Sequence, residues 1–304
     1  MKKKKNLLKL AAVIFFVAIV FTTATVDAQQ VRYKMTTDIP ASITTPDSVK
    51  TSLGTLKFFD GFPDEATVQK VYDNLDFQRG VQAFLTSLPA AVFYATRAGI
   101  RTFGPDNQTT LISESLLDSR TLMFVPNTET IYIITWFDTK DGPLVIEMPP
   151  NVLGFINDFW SRFVTDVGNP GPDKVHGGKY LLLPPGYAGA VPEGYFVLNS
   201  RTYGNVLFCR GFIVNGDLRP AVENARRNLR VYPLANAANP PAMNFVNISG
   251  LSYNAIPSNN VSFCEKMTQI REEPPEAIDP EVRDLFSVFG ILKGMLFEPD
   301  ARIH

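Results

Sequence analysis

Between residues 130 and 214 the chain is a succession of short β-branched and aromatic runs cut apart by proline- and glycine-bearing turns. No other feature limits the fold as tightly. Thr130-Ile-Tyr-Ile-Ile-Thr-Trp-Phe137 and Leu144-Val-Ile-Glu-Met148 flank Asp138-Thr-Lys-Asp-Gly-Pro143, the pattern of a hairpin. Further strands are expected at 159–167, 180–183 and 195–198, and as a pair around 205–214, with Asn215-Gly216 as a turn. Six or seven short strands of this kind predict an antiparallel, jelly-roll-like β-sandwich.

Helices are expected on either side of that region. Pro63-Asp64-Glu65 carries proline and carboxylates at a helix start, and Val68, Val71, Tyr72 and Leu75 recur at helical spacing. A second helical stretch, 77–101, is expected to kink or break at Pro89, which lacks the backbone donor and crowds the preceding turn. A shorter amphipathic helical piece is read at 111–122, and further helices at 217–229, 261–271 and 280–289. An extended arm around 40–46 and a short strand at 52–59 precede them. The fold class is α+β. The expected organisation is a leader at 1–28, an arm and helical region at 29–125, a sandwich domain closing with a helix at 126–234, and loops with short helices at 235–304.

The leader reading rests on order of residue types. Four lysines (Lys2 to Lys5) precede an apolar stretch, and Val26 and Ala28 supply the small residues before a cleavage point ahead of Gln29. The uninterrupted apolar core, 10–21, has 12 residues against roughly 20 for a spanning helix, so a cleaved signal is preferred over an anchor. Export to the periplasm or beyond follows, with no membrane span after cleavage. Removing 1–28 takes five Lys and one Asp, leaving 24 basic and 29 acidic side chains, net −5. Such a balance excludes a generally basic nucleic-acid binder. An aromatic share of 12% and a hydrophobic share of 45% exclude wholesale disorder.

Two cysteines (Cys209, Cys264) and two histidines (His176, His304) are too few soft ligands for a zinc site or iron–sulfur cluster, and no cofactor or metal is expected. Whether Cys209 and Cys264 pair is open; buried free thiols are the preferred reading. His176 sits in the glycine-rich stretch Gly171-Pro-Asp-Lys-Val-His-Gly-Gly-Lys179. It reads as a general base or as an exposed loop residue, the latter preferred because no Gly-x-Ser-x-Gly supplies a nucleophile. The same stretch is not a P-loop: Tyr180 follows Gly-Gly-Lys where Ser or Thr belongs. Carboxylates are the more plausible reactive groups, with Glu129, Asp138, Asp158 and Asp166 in or beside the sheet. Glu129 and Asp166 are the catalytic candidates, since a carboxylate pair about 5 to 9 Å apart hydrolyses glycosidic bonds. Arg162 and Asp166, four apart among aromatics, read instead as a buried ion pair bracing the sheet.

The segments Phe58-Phe-Asp-Gly-Phe-Pro63, Val71-Tyr-Asp-Asn-Leu-Asp-Phe-Gln-Arg-Gly80, Pro126-Asn-Thr-Glu-Thr-Ile-Tyr132 and Asp141-Gly-Pro143 form the first part of a recognisable combination. Asp166-Val-Gly-Asn-Pro-Gly-Pro-Asp173, Gly178-Lys-Tyr-Leu-Leu-Leu-Pro-Pro-Gly-Tyr187, Pro192-Glu-Gly-Tyr-Phe196 and Tyr232-Pro-Leu234 continue it. Over residues 40–302 the chain resembles the bacterial family of domain of unknown function 1254 (DUF1254). The resemblance implies a helical N-terminal region leading into a β-sandwich in exported or envelope-associated proteins, with no agreed activity. It also implies a companion jelly-roll-like domain (DUF1214) beyond Glu298-Pro-Asp-Ala-Arg302. The sequence stops at His304, as a fragment or as a short form, so a site shared between two such domains is expected to be incomplete.

The residues and the resemblance together point to an exported ligand-binding or interaction module. Its expected ligand-binding residues are Asn127, Glu129, Thr130, Tyr132, Trp136, Arg162, Asp166 and Tyr180. Tyr132, Trp136, Trp160 and Tyr180 offer flat faces to a sugar or aromatic ligand, or alternatively fill the core. The expected partner is a small molecule or glycan, with homo-oligomerisation left open. The alternative function is a carboxylate-based hydrolase of a glycan or other envelope polymer.

Overall fold

The computed structural model describes residues 39–124, 126–260, 262–288 and 291. The leader expected at 1–28 and the 298–302 stretch lie outside the described residues. The chain divides into two compact units, one ending at Asp64 and the other starting at Glu65. In the first, Ser48–Thr51 (β1), Gly54–Phe59 (β2) and Phe62–Pro63 (β3) form an antiparallel three-stranded sheet. The β2–β3 turn is Asp60-Gly61 at φ 48° and 85°, the left-handed pair that a two-residue hairpin requires.

The second unit opens with Glu65–Arg101 (α1), a helix of 37 residues with Glu65 in its first turn and Arg101 in its last, matching the helix dipole. There follow Thr109–Ile112 (β4), Thr121–Leu122 (β5), Ile131–Asp138 (β6), Leu144–Met148 (β7), Val152–Asp158 (β8) and Phe163–Gly168 (β9). Then come Gly178–Leu183 (β10), Phe196–Asn199 (β11), Gly204–Gly211 (β12), Arg219–Asn228 (α2) and Arg230–Pro233 (β13). Asn244–Asn247 (β14), Tyr253–Asn254 (β15), Ser262–Met267 (α3) and Pro280–Val288 (α4) complete it. A six-stranded sheet runs β14-β4-β6-β12-β8-β9 and a four-stranded sheet β11-β10-β7-β13, with β15 and β5 as a separate pair. Among the described residues, only β14–β4, β10–β11 and β15–β5 are parallel pairs.

Strand alternation gives the six-stranded sheet two buried faces. Ile131, Ile133 and Phe137 of β6, with Val152, Ile156 and Leu207, meet Ile146, Tyr180, Leu182 and Val231 of the four-stranded sheet. Ala221, Val222 and Ala225 of α2 seal that core. Tyr132, Ile134 and Trp136 point the other way, into a second core formed with Ala90, Ala91, Phe93 and Ile100 of α1 and with Phe263, Met267 and Phe286 from the C-terminal helices. Gly99 lets α1 approach closely: a Cβ there would sit 2.6 Å from the Asn254 carbonyl oxygen.

Several expectations are corrected. The break expected at Pro89 does not occur: α1 runs on through it, because the small and apolar residues after it (Ala90, Ala91, Phe93) are buried, offsetting the missing bond. The piece at 111–122 is not helical. Thr109-Thr-Leu-Ile112 is instead a strand between β14 and β6, with Thr110 and Thr135 hydroxyls 2.8 Å apart across the pair. The expected strand at 159–167 is a reversal at 159–162, with Ser161 at φ 60°, followed by β9; its partner β8 is a strand that the sequence pattern does not announce. A single strand, β12, replaces the pair around 205–214. Cys209, by contrast, is the buried free thiol that the sequence reading prefers.

The segment after α3 is clamped to the sheets by polar contacts. Glu273, buried, accepts the backbone N–H groups of Tyr203 at 2.6 Å and Gly204 at 3.0 Å, while Arg162 Nη1 donates to the Ala277 carbonyl at 2.7 Å. Burial, reinforced by Asp138, raises the Glu273 pKa from 4.5 to about 7 against the two N–H donors and Arg97. Between these values the unfolded chain has lost the proton and the folded chain keeps it. Glu273 therefore supports the fold fully below pH 4.5, and that support is lost as pH rises through about 7. The gap corresponds to roughly 3 kcal/mol. Glu273→Gln, neutral throughout, is expected to remove this slope. Urea titrations at pH 4.5 and 8 should show the wild type losing about 3 kcal/mol relative to the variant.

Candidate functional site

On its α1-facing side the six-stranded sheet does not close completely. Val92, Phe93 and Thr96 of α1 stand over Phe155 and Asn157 of β8, Phe208 and Arg210 of β12, Tyr132 of β6 and Asp166 of β9. Met123, Phe124 and Ala255 complete the rim of a cavity of about 570 Å³. The register explains the convergence. Phe208 lies opposite Phe155, Arg210 opposite Leu153 and Tyr132, and Asp166 opposite Phe155, so alternate residues of four adjacent strands share one face. The Phe208 ring lies 5.9 Å from that of Phe155 and 6.4 Å from that of Phe93, making an aromatic floor and wall.

Polar groups are few and fixed. The Asn127 amide and backbone N–H both donate to the Tyr132 hydroxyl at 2.9 Å. Asn127 Oδ1 in turn accepts from the backbone N–H groups of Glu129 and Thr130 and from the Thr130 hydroxyl. The 126–132 motif is thus a turn that locks the Tyr132 side chain in place. The Arg210 guanidinium lies over the Tyr132 ring, 5.5 Å from its centroid. Asn157 is tied to the Ser161 carbonyl at 3.3 Å. Arg210 and Asp166 are the ionised groups on the lining, and among the described residues no ion pair joins either of them. Cys209, between Phe208 and Arg210, turns its side chain into the opposite core, and burial pushes its thiol up to about 12, so it is no nucleophile near neutrality. Among the described residues no three His, Cys, Asp or Glu side chains are grouped to hold a metal.

The sequence-expected site residues are scattered across these environments. Tyr132 and Asp166 line the cavity, and Asn127 and Thr130 support it from behind. Glu129 is exposed on the turn and does not line it. Trp136 is fully buried in the core beneath α1, with the Arg97 guanidinium over its ring. Tyr180 is fully buried in the opposite core, where its hydroxyl donates to Asp173 at 2.5 Å; burial first and that carboxylate second push its pKa up. Asp173 also accepts the N–H groups of Gly168 and Gly177, so the glycine-rich loop is shaped by one buried carboxylate, and His176 is exposed on it. Trp160, half-buried, stacks on Phe286. Sequence reading missed Phe155, Phe208 and Arg210. Their signal was the alternation Val206, Phe208, Arg210, which puts a charge on a strand face that is otherwise apolar.

The expected Arg162–Asp166 pair is replaced by Arg162–Asp158. Along a strand, four residues advance about 13 Å. The 159–162 reversal instead brings Asp158 to Arg162 Nε at 2.7 Å. Asp158, 2% exposed, also accepts the N–H groups of Trp160 and Arg162. Asp158→Asn leaves a guanidinium facing an amide; because Arg162 is one-third exposed, the expected loss is about 2–3 kcal/mol, below the fully buried range. Asp166→Asn is expected to change stability by under about 0.5 kcal/mol. Denaturant midpoints of the two variants test this, and equal losses would contradict the assignment.

Residues 107–233 match the model of a family described as protein of unknown function (DUF1254). No curated protein matches the chain. Among solved structures, the VPA0106 protein from Vibrio parahaemolyticus is similar, with a TM-score of 0.50 at 12% identity over 75% of this chain and 55% of that one. That likeness concerns the fold, and the chain spans just over half the length of that protein.

Proposed function

We propose that this chain, which carries a DUF1254 segment at residues 107–233, binds a small, flat, mainly apolar molecule in the cavity between α1 and the six-stranded sheet. The observation that carries the reading is the aromatic cavity of about 570 Å³, the size of a small-molecule pocket, with a few oriented polar groups on an apolar lining. The two sheets act as a jelly-roll-like sandwich that holds β8 and β12 rigid, and α1 acts as the cover. With the N-terminal leader read as a secretory signal, the binding takes place outside the cytoplasm, in the periplasm or beyond. No helix among the described residues is long and apolar enough to cross a membrane. The hydrolase alternative has less support: Asp166 lines the cavity and its intended partner Glu129 does not.

The neutral fluorophore N-phenyl-1-naphthylamine tests the reading. Saturable enhancement of its emission is expected with the wild type. Phe155→Ala, at a partly exposed position, should weaken binding roughly tenfold by removing a ring of the cavity wall. No saturable binding, or binding indifferent to Phe155→Ala, would count against the cavity.

A further inference from the structure

The cavity is electrically polarised. Arg210 stands at one side, on β12, and Asp166 at the other, on β9, with Phe155 of β8 between them. From strand spacing and rise their Cα atoms are about 12 Å apart. Elsewhere in this unit Arg97, Arg101, Arg162 and Arg226 each meet a carboxylate. Arg210 meets none among the described residues, and its contact is the Tyr132 ring. A ring face engages the guanidinium through its flat side and leaves the in-plane N–H donors unused. At the same end, the Tyr132 hydroxyl accepts two N–H groups from Asn127, which leaves its own proton to donate. Two unspent donors, one of them a cation, therefore border an aromatic cavity.

We propose that the cavity selects flat apolar molecules that carry one oxyanion, a carboxylate or sulfonate, bound by Arg210 with the Tyr132 hydroxyl as second donor. The inference rests on the ligand-binding reading and adds the charge class and the orientation. The ring system lies over Phe155 and Phe208, and the oxyanion points toward β12. Asp166 at the far side repels a second anionic group, so monoanions are preferred over dianions of the same shape.

Two probes with one ring skeleton separate this inference from the reading beneath it. 8-Anilinonaphthalene-1-sulfonate is N-phenyl-1-naphthylamine with a sulfonate added. The sulfonate is expected to bind the wild type about five- to tenfold more tightly than the neutral amine, the scale of a partly solvated charge-assisted contact. Arg210→Met puts a shorter, uncharged apolar side chain in place of the cation and is expected to erase that advantage, read as the ratio of the two probes' affinities for the same variant. Saturable binding of the neutral probe, at whatever affinity, reports that the variant is folded. Raising salt from about 0.05 to 0.5 M should shrink the advantage in the wild type only. If neither probe binds, the ligand-binding reading itself fails. If both bind equally, or the advantage survives Arg210→Met, the charge selection is overturned and the apolar cavity stands.

Discussion

The double burial of β6 organises the second unit. Seven of its eight residues are buried, with Ile131, Ile133 and Phe137 facing the four-stranded sheet and Tyr132, Ile134 and Trp136 facing α1. A strand with both faces in apolar cores has little freedom of register. A slip by one residue would push Trp136 into the space of Phe137 and unpair the Thr110–Thr135 hydroxyls. Once β6 is set, β12 is set beside it over the whole length Gly204–Gly211, and β8 and β9 follow by antiparallel pairing. The cavity is a consequence of that chain of pairings. Its residues come from four strands, one helix and the loops that carry Met123, Phe124 and Ala255, and its shape depends on registers that the cores determine.

Buried polar groups fix the segments that apolar packing leaves loose. Asp173 gathers Gly168, Gly177 and the Tyr180 hydroxyl, and so shapes the loop between β9 and β10. Asp158 closes the β8–β9 reversal, and Glu273 with Arg162 holds the C-terminal segment to the start of β12 and the end of β8. Gly204 has to be glycine for this: a Cβ would lie 2.8 Å from the Trp136 ring and 2.9 Å from the Glu273 carboxylate. Asp158 and Asp173 are buried against backbone N–H groups, which compensates their loss of water, whereas at Glu273 burial outweighs the two N–H donors and favours the protonated form. Asp166 and Arg210 differ from them in facing a cavity without a protein ion partner among the described residues, which distinguishes groups available to a ligand from groups used in the fold.

The sequence by itself determined that the middle of this chain is strand-rich, that helical segments precede it and short helices follow, and that turns lie just before residue 131 and between the strands around 171–177. Those properties are local. They depend on β-branching, proline, glycine and the helical recurrence of apolar residues, and β6, β7, β10 and α2 stand close to where that reasoning puts them. Tertiary structure decided the rest. Pro89 lies inside a helix because burial outweighs a lost hydrogen bond, and Thr109–Ile112 is a strand because two neighbouring strands offer it partners. Arg162 pairs with Asp158 because a reversal, invisible in residue spacing, lies between them. Trp136 and Tyr180 look like binding surfaces in one dimension and are core in three, whereas Phe155, Phe208 and Arg210 are inconspicuous in the sequence and meet at the cavity. Which face of a strand reaches solvent, which a core and which a cavity is set by the elements packed against it, and those lie far away in the chain.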